Sequence, residues 1–297
     1  MLSITIFLLL PIYAFASIKL YIKASSPERG DIEFIGANVD VVGDEDFGTF
    51  SFIEDSFKEA VMTYSGEAPA EVYVRNPSDD NAEFRDLYLS NNWNPVTRSI
   101  IPTTGSLINY SVEPIIKASE VFYNEKPERI THKFEIEGVY VKSVTAYWQN
   151  QEYYTRNELQ LMSLSRSDNT IVYVVDFGVN DVEEIEQVNF EERFKGNVDW
   201  KKESNVHQVL DLELDEGQQL EATMKATRYT FDFQVNYTVS FGGDVACYYP
   251  NGHKGRDFWA YDINEVLRAA EMKTTLEWTE NIQVTYDSDP QFAVKDL

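Results

Sequence analysis

Cysteine is nearly absent from this sequence of 297 residues, which contains only Cys247. A single thiol excludes any disulfide within the chain, so the fold must be held by its apolar core and its backbone hydrogen bonds. Cys247 lies between Ala246 and Tyr248 in an apolar stretch. This setting favours a packed core thiol over a nucleophile or an intermolecular crosslink.

Positive charge is also scarce. The chain has 25 lysine and arginine residues against 50 aspartate and glutamate residues, a formal net charge of −25. Phosphate backbones repel such a chain, and the sequence has no basic stripe, so we predict no nucleic acid partner. Cationic ligands or partners fit this charge better, as does high solubility.

Motifs for catalysis and for cofactor binding are missing. The sequence has no G-x-S-x-G elbow, no phosphate-binding loop and no Rossmann fingerprint. His132, His207 and His253 are far apart, and none has a ligand-like neighbour two or four residues away, which argues against a zinc site. With 50 acidic residues, a chance pair of carboxylates identifies no acid–base centre. We predict that the protein is not an enzyme and has no catalytic residue, no metal and no cofactor.

No apolar run is long enough to cross a bilayer as a helix, which needs about 18 residues. The first sixteen residues carry no charge and contain a shorter apolar block that ends in Ala14-Phe15-Ala16. This arrangement is typical of a secretory signal peptide, here residues 1–16. We therefore predict a secreted, extracellular glycoprotein, with acceptor sequons at Asn109 and Asn236.

Alternation of apolar and polar residues dominates the rest of the chain and predicts a mainly β fold. Residues 228–241 alternate without exception. At about 3.3 Å per residue this strand would extend roughly 45 Å, which implies an elongated domain with one wet face. Further strands are predicted at residues 132–148, broken at Gly138, at 171–177, and at 210–214, where a turn at Gly217 would pair strands.

Two short segments have helical spacing. One helix is predicted within residues 51–65, with an apolar face formed by Ile53, Phe57, Ala60, Val61 and Tyr64. A second helix is predicted after Asp262, which begins a capping-box sequence, with an apolar stripe formed by Ile263, Val266, Leu267 and Ala270. The proline-containing residues 92–102 are the best candidate boundary. They divide the mature chain into an N-terminal lobe at residues 17–100 and an elongated β module at residues 101–297.

Part of the C-terminal half resembles a known family. Residues 210–243 contain a Leu-Asp-Leu-Glu-Leu strand, a turn, a threonine-containing strand, the long alternating strand and Gly242-Gly243. This order resembles the pore-forming module of aerolysin and epsilon toxin. Residues 245–249, 255–259 and 262–263 are similar to invertebrate members related to follicular epithelium yolk proteins. The resemblance covers roughly residues 206–268.

The resemblance implies an elongated aerolysin-like module of long antiparallel strands, with an N-terminal lobe and two short helices. It further implies a secreted monomer that assembles into a homo-oligomeric ring. An amphipathic hairpin of each copy then refolds into a transmembrane β-barrel, whose strands need about 9 to 11 residues each. We predict this hairpin within residues 158–205, and one option is 159–177, turning near 167–169. Its apolar positions are Leu159, Leu161, Ile171, Tyr173, Val175 and Phe177.

Residues 181–192 depart from this pattern because they carry six carboxylates. Ionised carboxylates cost several kcal/mol against lipid, so this piece would line a lumen or remain in water. The alternative function is therefore a non-lytic extracellular structural protein, of yolk or eggshell type, on the same fold.

An aromatic cluster at Phe258, Trp259 and Tyr261 follows the basic stretch 253–256. Flat rings with polar tips stack on sugars and settle at membrane interfaces, so the cluster is a candidate contact for a cell-surface glycan or a lipid headgroup. The alternative is that these rings pack in the core at the start of the helix after Asp262.

Overall fold

The computed structural model describes residues 18–24, 30–42, 54–77, 84–148, 171–176, 185–189, 198–288 and 290–297. The strands in these ranges are β1 (Ile18–Ala24), β2 (Gly30–Ile35), β3 (Asn38–Val41), β4 (Glu71–Tyr73), β5 (Thr97–Tyr123), β6 (Ile130–Trp148), β7 (Ile171–Asp176), β8 (Ile185–Asn189), β9 (Val198–Leu214), β10 (Gln219–Gly242), β11 (Asp244–His253), β12 (Arg256–Asp262), β13 (Thr275–Asp287) and β14 (Gln291–Asp296). The helices are α1 (Glu54–Ser65), α2 (Leu87–Asn91) and α3 (Ile263–Ala269). The predicted mainly β fold class is confirmed.

β10 is the central strand. Its 24 residues extend roughly 80 Å at about 3.3 Å per residue. The predicted long strand at residues 228–241 is confirmed, and residues 219–227 lengthen it further. β5 pairs with β10 from end to end, with three register shifts that place the extra residues in β5. Such bulges increase the local twist of a long ribbon.

The main sheet has the order β3-β5-β10-β13-β6-β9, and its neighbouring strands are antiparallel. β13 pairs with the upper part of β10, residues 228–240, and β14 pairs with the lower part, residues 220–225. In its lower part the sheet therefore divides into two layers, β5-β10-β14 and β6-β9.

Two predictions about strand ends are wrong. β6 continues through Gly138, which pairs with Val206 in an unbroken ladder. The turn at Gly217 joins β9 to β10 without pairing them, because β9 pairs with β6 and β10 with β5.

The buried face of β10 changes along its length. In the upper part the buried side chains are Phe231, Phe233, Val235, Tyr237 and Val239, and in the lower part they are Leu220, Ala222, Met224 and Ala226. Successive side chains of a strand point to opposite faces, so these two sets lie on opposite sides of β10. The upper core is shared with β1, α1 and α3. The lower core fills the space between the two lower layers.

A second sheet covers the upper core. Its order is β2-β1-β7-β8. β1 pairs antiparallel with β2 and parallel with β7, and it contributes buried Ile18, Leu20 and Ile22 to the upper core. β2 lies close against β5, because a Cβ on Gly105 would be 2.8 Å from Cγ2 of Ile32.

The third sheet, β12-β11-β4, forms with α1, α2 and α3 a unit that we call the head. α1 buries Phe57, Ala60 and Val61, as predicted, whereas Tyr64 of the predicted apolar face is exposed and Ile53 lies outside the described residues. The predicted cap of α3 is also confirmed, since the Asp262 side chain accepts hydrogen bonds from the backbone N of Asn264 and Glu265. α2 was not predicted. Segments from both halves of the sequence build the head, and β5 begins before residue 100, inside the predicted N-terminal lobe.

A buried ionic cluster lies where the buried face of β10 changes. The Asp287 side chain, which is 0% exposed, accepts hydrogen bonds from Lys117 Nζ at 2.5 Å, Arg228 Nε at 2.9 Å and the backbone N of Val141 at 3.1 Å. Burial alone would raise the pKa of Asp287, but the hydrogen bonds from Arg228 and Lys117 hold it below its ordinary value. The cluster thus joins β5, β6, β10 and β13 through one carboxylate.

Candidate functional site

The predicted insertion positions fall only partly on described residues. Ile171, Tyr173 and Val175 lie on β7, and Val175 is fully buried in the upper core. Leu159, Leu161, Phe177 and the predicted turn at 167–169 lie outside the described residues. The partner of β7 in a hairpin is β8, with Val175 opposite Glu186.

β7 is attached to the rest of the protein through β1. Their parallel pairing runs from Ile18 opposite Ile171 to Lys23 opposite Asp176. The chain segment that carries β7 and β8 leaves β6 and returns to β9, and those strands pair with each other up to Ala146 opposite Val198. Both ends of this segment therefore lie side by side at one edge of the main sheet.

The three predicted aromatic residues of the head do not share one surface. Phe258 lies on one face of the sheet β12-β11-β4, opposite Tyr248. Trp259 and Tyr261 lie on the other face, where their rings stack at 6.4 Å and Tyr64 of α1 meets Tyr261 edge-on at 5.3 Å. Alternation along β12 causes this separation.

Phe258 belongs to a group of half-exposed rings that we call the aromatic platform: Tyr73, Phe84, Tyr248 and Phe258. Phe84 contacts Phe258 at 5.0 Å and Tyr248 at 5.4 Å between ring centroids. Sequence analysis missed the other three members. A predicted β11–β12 hairpin would have placed Tyr248 beside Phe258. Tyr73 and Phe84 are remote in sequence, and only the tertiary fold brings them to the platform.

The platform rests on a rigid base. The hydroxyl of buried Tyr88 lies within hydrogen-bond distance of the carbonyl oxygens of Tyr73, at 2.6 Å, and Asp244, at 2.9 Å, and it accepts a hydrogen bond from the backbone N of Ala246 at 3.2 Å. The Tyr73 hydroxyl donates to the Glu71 carboxylate, and burial together with this bond raises the pKa of Tyr73. The platform therefore offers flat apolar rings with a neutral phenol and a carboxylate at its rim, a combination suited to sugar hydroxyls.

The basic stretch forms the tip of the β11–β12 hairpin. His253 is buried, and its Nδ1 lies 2.6 Å from Oε2 of Glu67. Its backbone carbonyl accepts a hydrogen bond from Nε1 of Trp259 at 2.7 Å. Trp259 and Tyr261 are thus held as parts of the head's packing, with exposed Arg256 over the Trp259 ring at 5.5 Å.

The predicted acceptor sequons lie on β5 and β10 and stay predictions. Asn109 is exposed, and Asn236 is half-buried with its Nδ2 donating to Thr104 at 2.8 Å. Cys247 is buried, which confirms a core thiol, and burial raises its pKa to about 12. No cluster of three or more potential metal ligands occurs in the described part of the chain. Within the same residues, no helix is long and apolar enough to span a membrane.

Comparison with solved structures decides the architecture. Parasporin-2, a Bacillus thuringiensis toxin that recognizes cancer cells, matches with a TM-score of 0.63 over 87% of this chain and 98% of its own, at 14% identity. The chain has the aerolysin-like fold. This confirms the predicted fold, an elongated aerolysin-like module of long antiparallel strands.

Sequence comparison points to toxins. U-megalopygitoxin(8)-Mo12 of Megalopyge opercularis is 24% identical over 274 residues, which cover 92% of this chain and 90% of the relative. U-megalopygitoxin(8)-Mc8 of Megalopyge crispata is 23% identical over equal shares. No family model matches the sequence. These relatives of the aerolysin-like chain carry toxin names, and they lend no support to a relation with yolk proteins.

Proposed function

We propose that the protein is a secreted, toxin-like, membrane-active protein that assembles into an oligomeric pore. The observation that carries the proposal is the attachment of the β7–β8 segment. It leaves and re-enters the main sheet on two adjacent strands, β6 and β9. The aerolysin-like fold and the toxin names of the relatives support the same function.

Insertion follows from this attachment. If β7 separates from β1, the segment between β6 and β9 is free to form a hairpin next to these two strands, which already pair antiparallel. A membrane-spanning strand needs about 9 to 11 residues, so this segment is long enough for two. We place Leu159, Leu161, Ile171, Tyr173, Val175 and Phe177 on its lipid-facing side. The carboxylates of residues 181–192 then belong to the lumen or the water phase.

Docking is assigned to the aromatic platform. Its rings are half-exposed, fixed by their base and flanked by Glu71, so we propose that it stacks on a sugar of a cell-surface glycan. Trp259 and Tyr261 have a structural role in this proposal. Binding to plain phosphatidylcholine vesicles as tight as binding to cells would instead indicate a lipid-interface contact.

Dye release tests the function. Liposomes and whole cells are loaded with dye and treated with the protein, with and without prior protease treatment, and oligomers are sought on detergent gels and by negative-stain imaging. We expect release together with ring-shaped, detergent-resistant oligomers. Absence of both under every condition would contradict the proposal.

A second candidate function is that of a structural protein, and absence of dye release is its first requirement. The six carboxylates of residues 181–192 favour a non-lytic structural protein, since they oppose insertion. Deposition in eggs or eggshell without lysis would support that alternative.

A further inference from the structure

The outer face of the lower β5-β10-β14 layer is unusual for so acidic a chain. We call it face I. β5 contributes apolar side chains to it, Ile116 at 67% exposure with exposed Val121 and Tyr123. β10 and β14 contribute exposed Lys225 and Lys295, which bond to no carboxylate in the described part of the chain.

Register places these side chains together. Ile116 is opposite Lys225, and Val121 is opposite Glu221, which in turn is opposite Lys295. Directly opposed residues in an antiparallel pair point to the same face. Face I thus carries two lysines and one glutamate, in a protein whose net charge is −25.

The outer face of the other lower layer, β6-β9, has the complementary character. We call it face II. It exposes Val139 and Val209 among the carboxylates of Glu135, Glu137, Asp211 and Glu213. Lys133 pairs with Glu135 and Arg129 with Glu213, whereas Glu137 and Asp211 form no salt bridge within the described residues.

The two faces point in opposite directions. Buried Phe134 and Ile136 of β6 pack with Leu220 and Met224 of β10 to form the lower core between the layers. The outer faces of the layers therefore lie on opposite sides of the lower part of the molecule. A contact between face I of one copy and face II of the next is head-to-tail, and such contacts close into a ring when the rotation permits.

We propose that face I binds face II of a second copy of this chain, and that this contact builds the oligomer. The inference rests on the proposed function and names the surfaces that serve it. Ile116, Val121 and Tyr123 pack against Val139 and Val209 of the neighbour. Lys225 and Lys295 meet the carboxylates that face II leaves unpaired.

Cysteine crosslinking tests the contact directly. Ile116→Cys and Val209→Cys are made as separate proteins, mixed, and oxidised on vesicles of phosphatidylcholine and cholesterol or on cells. Buried Cys247 does not interfere. We expect disulfide-linked dimers from the mixture and none from either protein alone, because a head-to-tail contact joins two different faces. Equal crosslinking of each protein with itself would overturn the head-to-tail arrangement.

Charge reversal provides a second test. Lys225→Glu with Lys295→Glu should raise the protein concentration needed for half assembly by about tenfold or more, since like charges then face each other. Glu137→Lys with Asp211→Lys on the partner copy should restore assembly. Lys254→Glu with Lys273→Glu, at exposed lysines outside both faces, makes the same change in net charge; this pair is the matched control and should assemble normally.

The two proposals fail differently. If the wild-type protein forms rings and the face I reversal assembles equally well, the contact is wrong and the pore function stands. If the wild-type protein forms no oligomer on vesicles or cells, the proposed function is wrong, and the contact falls with it.

Discussion

Replacing Asp287 by alanine should destabilise the protein more than any surface charge change. The variant leaves Lys117, whose side chain is 13% exposed, and Arg228 without their shared carboxylate, and it removes the acceptor of the Val141 backbone N–H. Breaking a buried ion pair from one side costs about 3 to 5 kcal/mol. Arg228 is partly exposed, so we expect the lower end of this range.

Thermal and urea unfolding measure the effect. At about 2 to 4 °C per kcal/mol for chains of this size, Asp287→Ala should lower Tm by roughly 10 °C. Asp215→Ala is the control, because it breaks an exposed ion pair with Arg129, and such pairs contribute little. An equal, small decrease in Tm in both variants would refute the assignment of a buried ionic cluster.

The pH dependence of stability gives an independent check. The folded-state pKa of Asp287 is lowered, so its contribution is present above the unfolded value of about 3.9 and is lost as the pH falls through the folded value. Asp287→Asn should remove this acid-side loss while keeping an acceptor for Val141. A stability difference between the wild type and the Asn variant that stays constant as the pH falls below 4 would contradict the prediction.

Three further predictions concern the head and the assembly. Gly243 has φ +96, and a Cβ there would lie 2.3 Å from the carbonyl oxygen of Pro95. Gly243→Ala should therefore lower the free energy of unfolding by more than the roughly 1 to 2 kcal/mol that an alanine in the left-handed region costs, and urea unfolding measures this. Phe258→Ala should weaken cell binding while Leu89→Ala, on an exposed head residue, leaves it unchanged; flow cytometry distinguishes them. Raising salt from about 10 to about 150 mM shortens the screening length from about 30 to about 8 Å. Repulsion between copies of net charge −25 is then screened, so ring formation should accelerate. Light scattering measures the rate, and a slowing would mean that long-range attraction at the contact dominates instead.

Sequence alternation predicted the upper part of β10 and missed the lower part. The reason is physical. Phe231 and Phe233 are buried on one face, whereas Leu220 and Met224 are buried on the other, so the periodic pattern changes phase inside one strand. A pattern search stops at that change, although the backbone pairing with β5 continues through it.

Gly138 illustrates a different limit. In sequence it indicates a break in the strand, but the structure uses it for space, because a Cβ there would lie 1.8 Å from Cε of Met224 on the facing layer. The aromatic platform could not be predicted from the sequence for a related reason. Phe84 and Tyr248 are brought together by tertiary packing, which no local spacing encodes.

Release of β7 from β1 is the central claim, and a reversible crosslink tests it most directly. Tyr21 lies opposite Val174 in the parallel pairing, and neighbouring strands are about 4.8 Å apart, within reach of a disulfide. The variant Tyr21→Cys with Val174→Cys should bind cells but release no dye when oxidised, and regain release on reduction, while Tyr21→Cys alone stays active throughout. Full dye release by the oxidised protein, with the crosslink verified by mass spectrometry, would contradict the account.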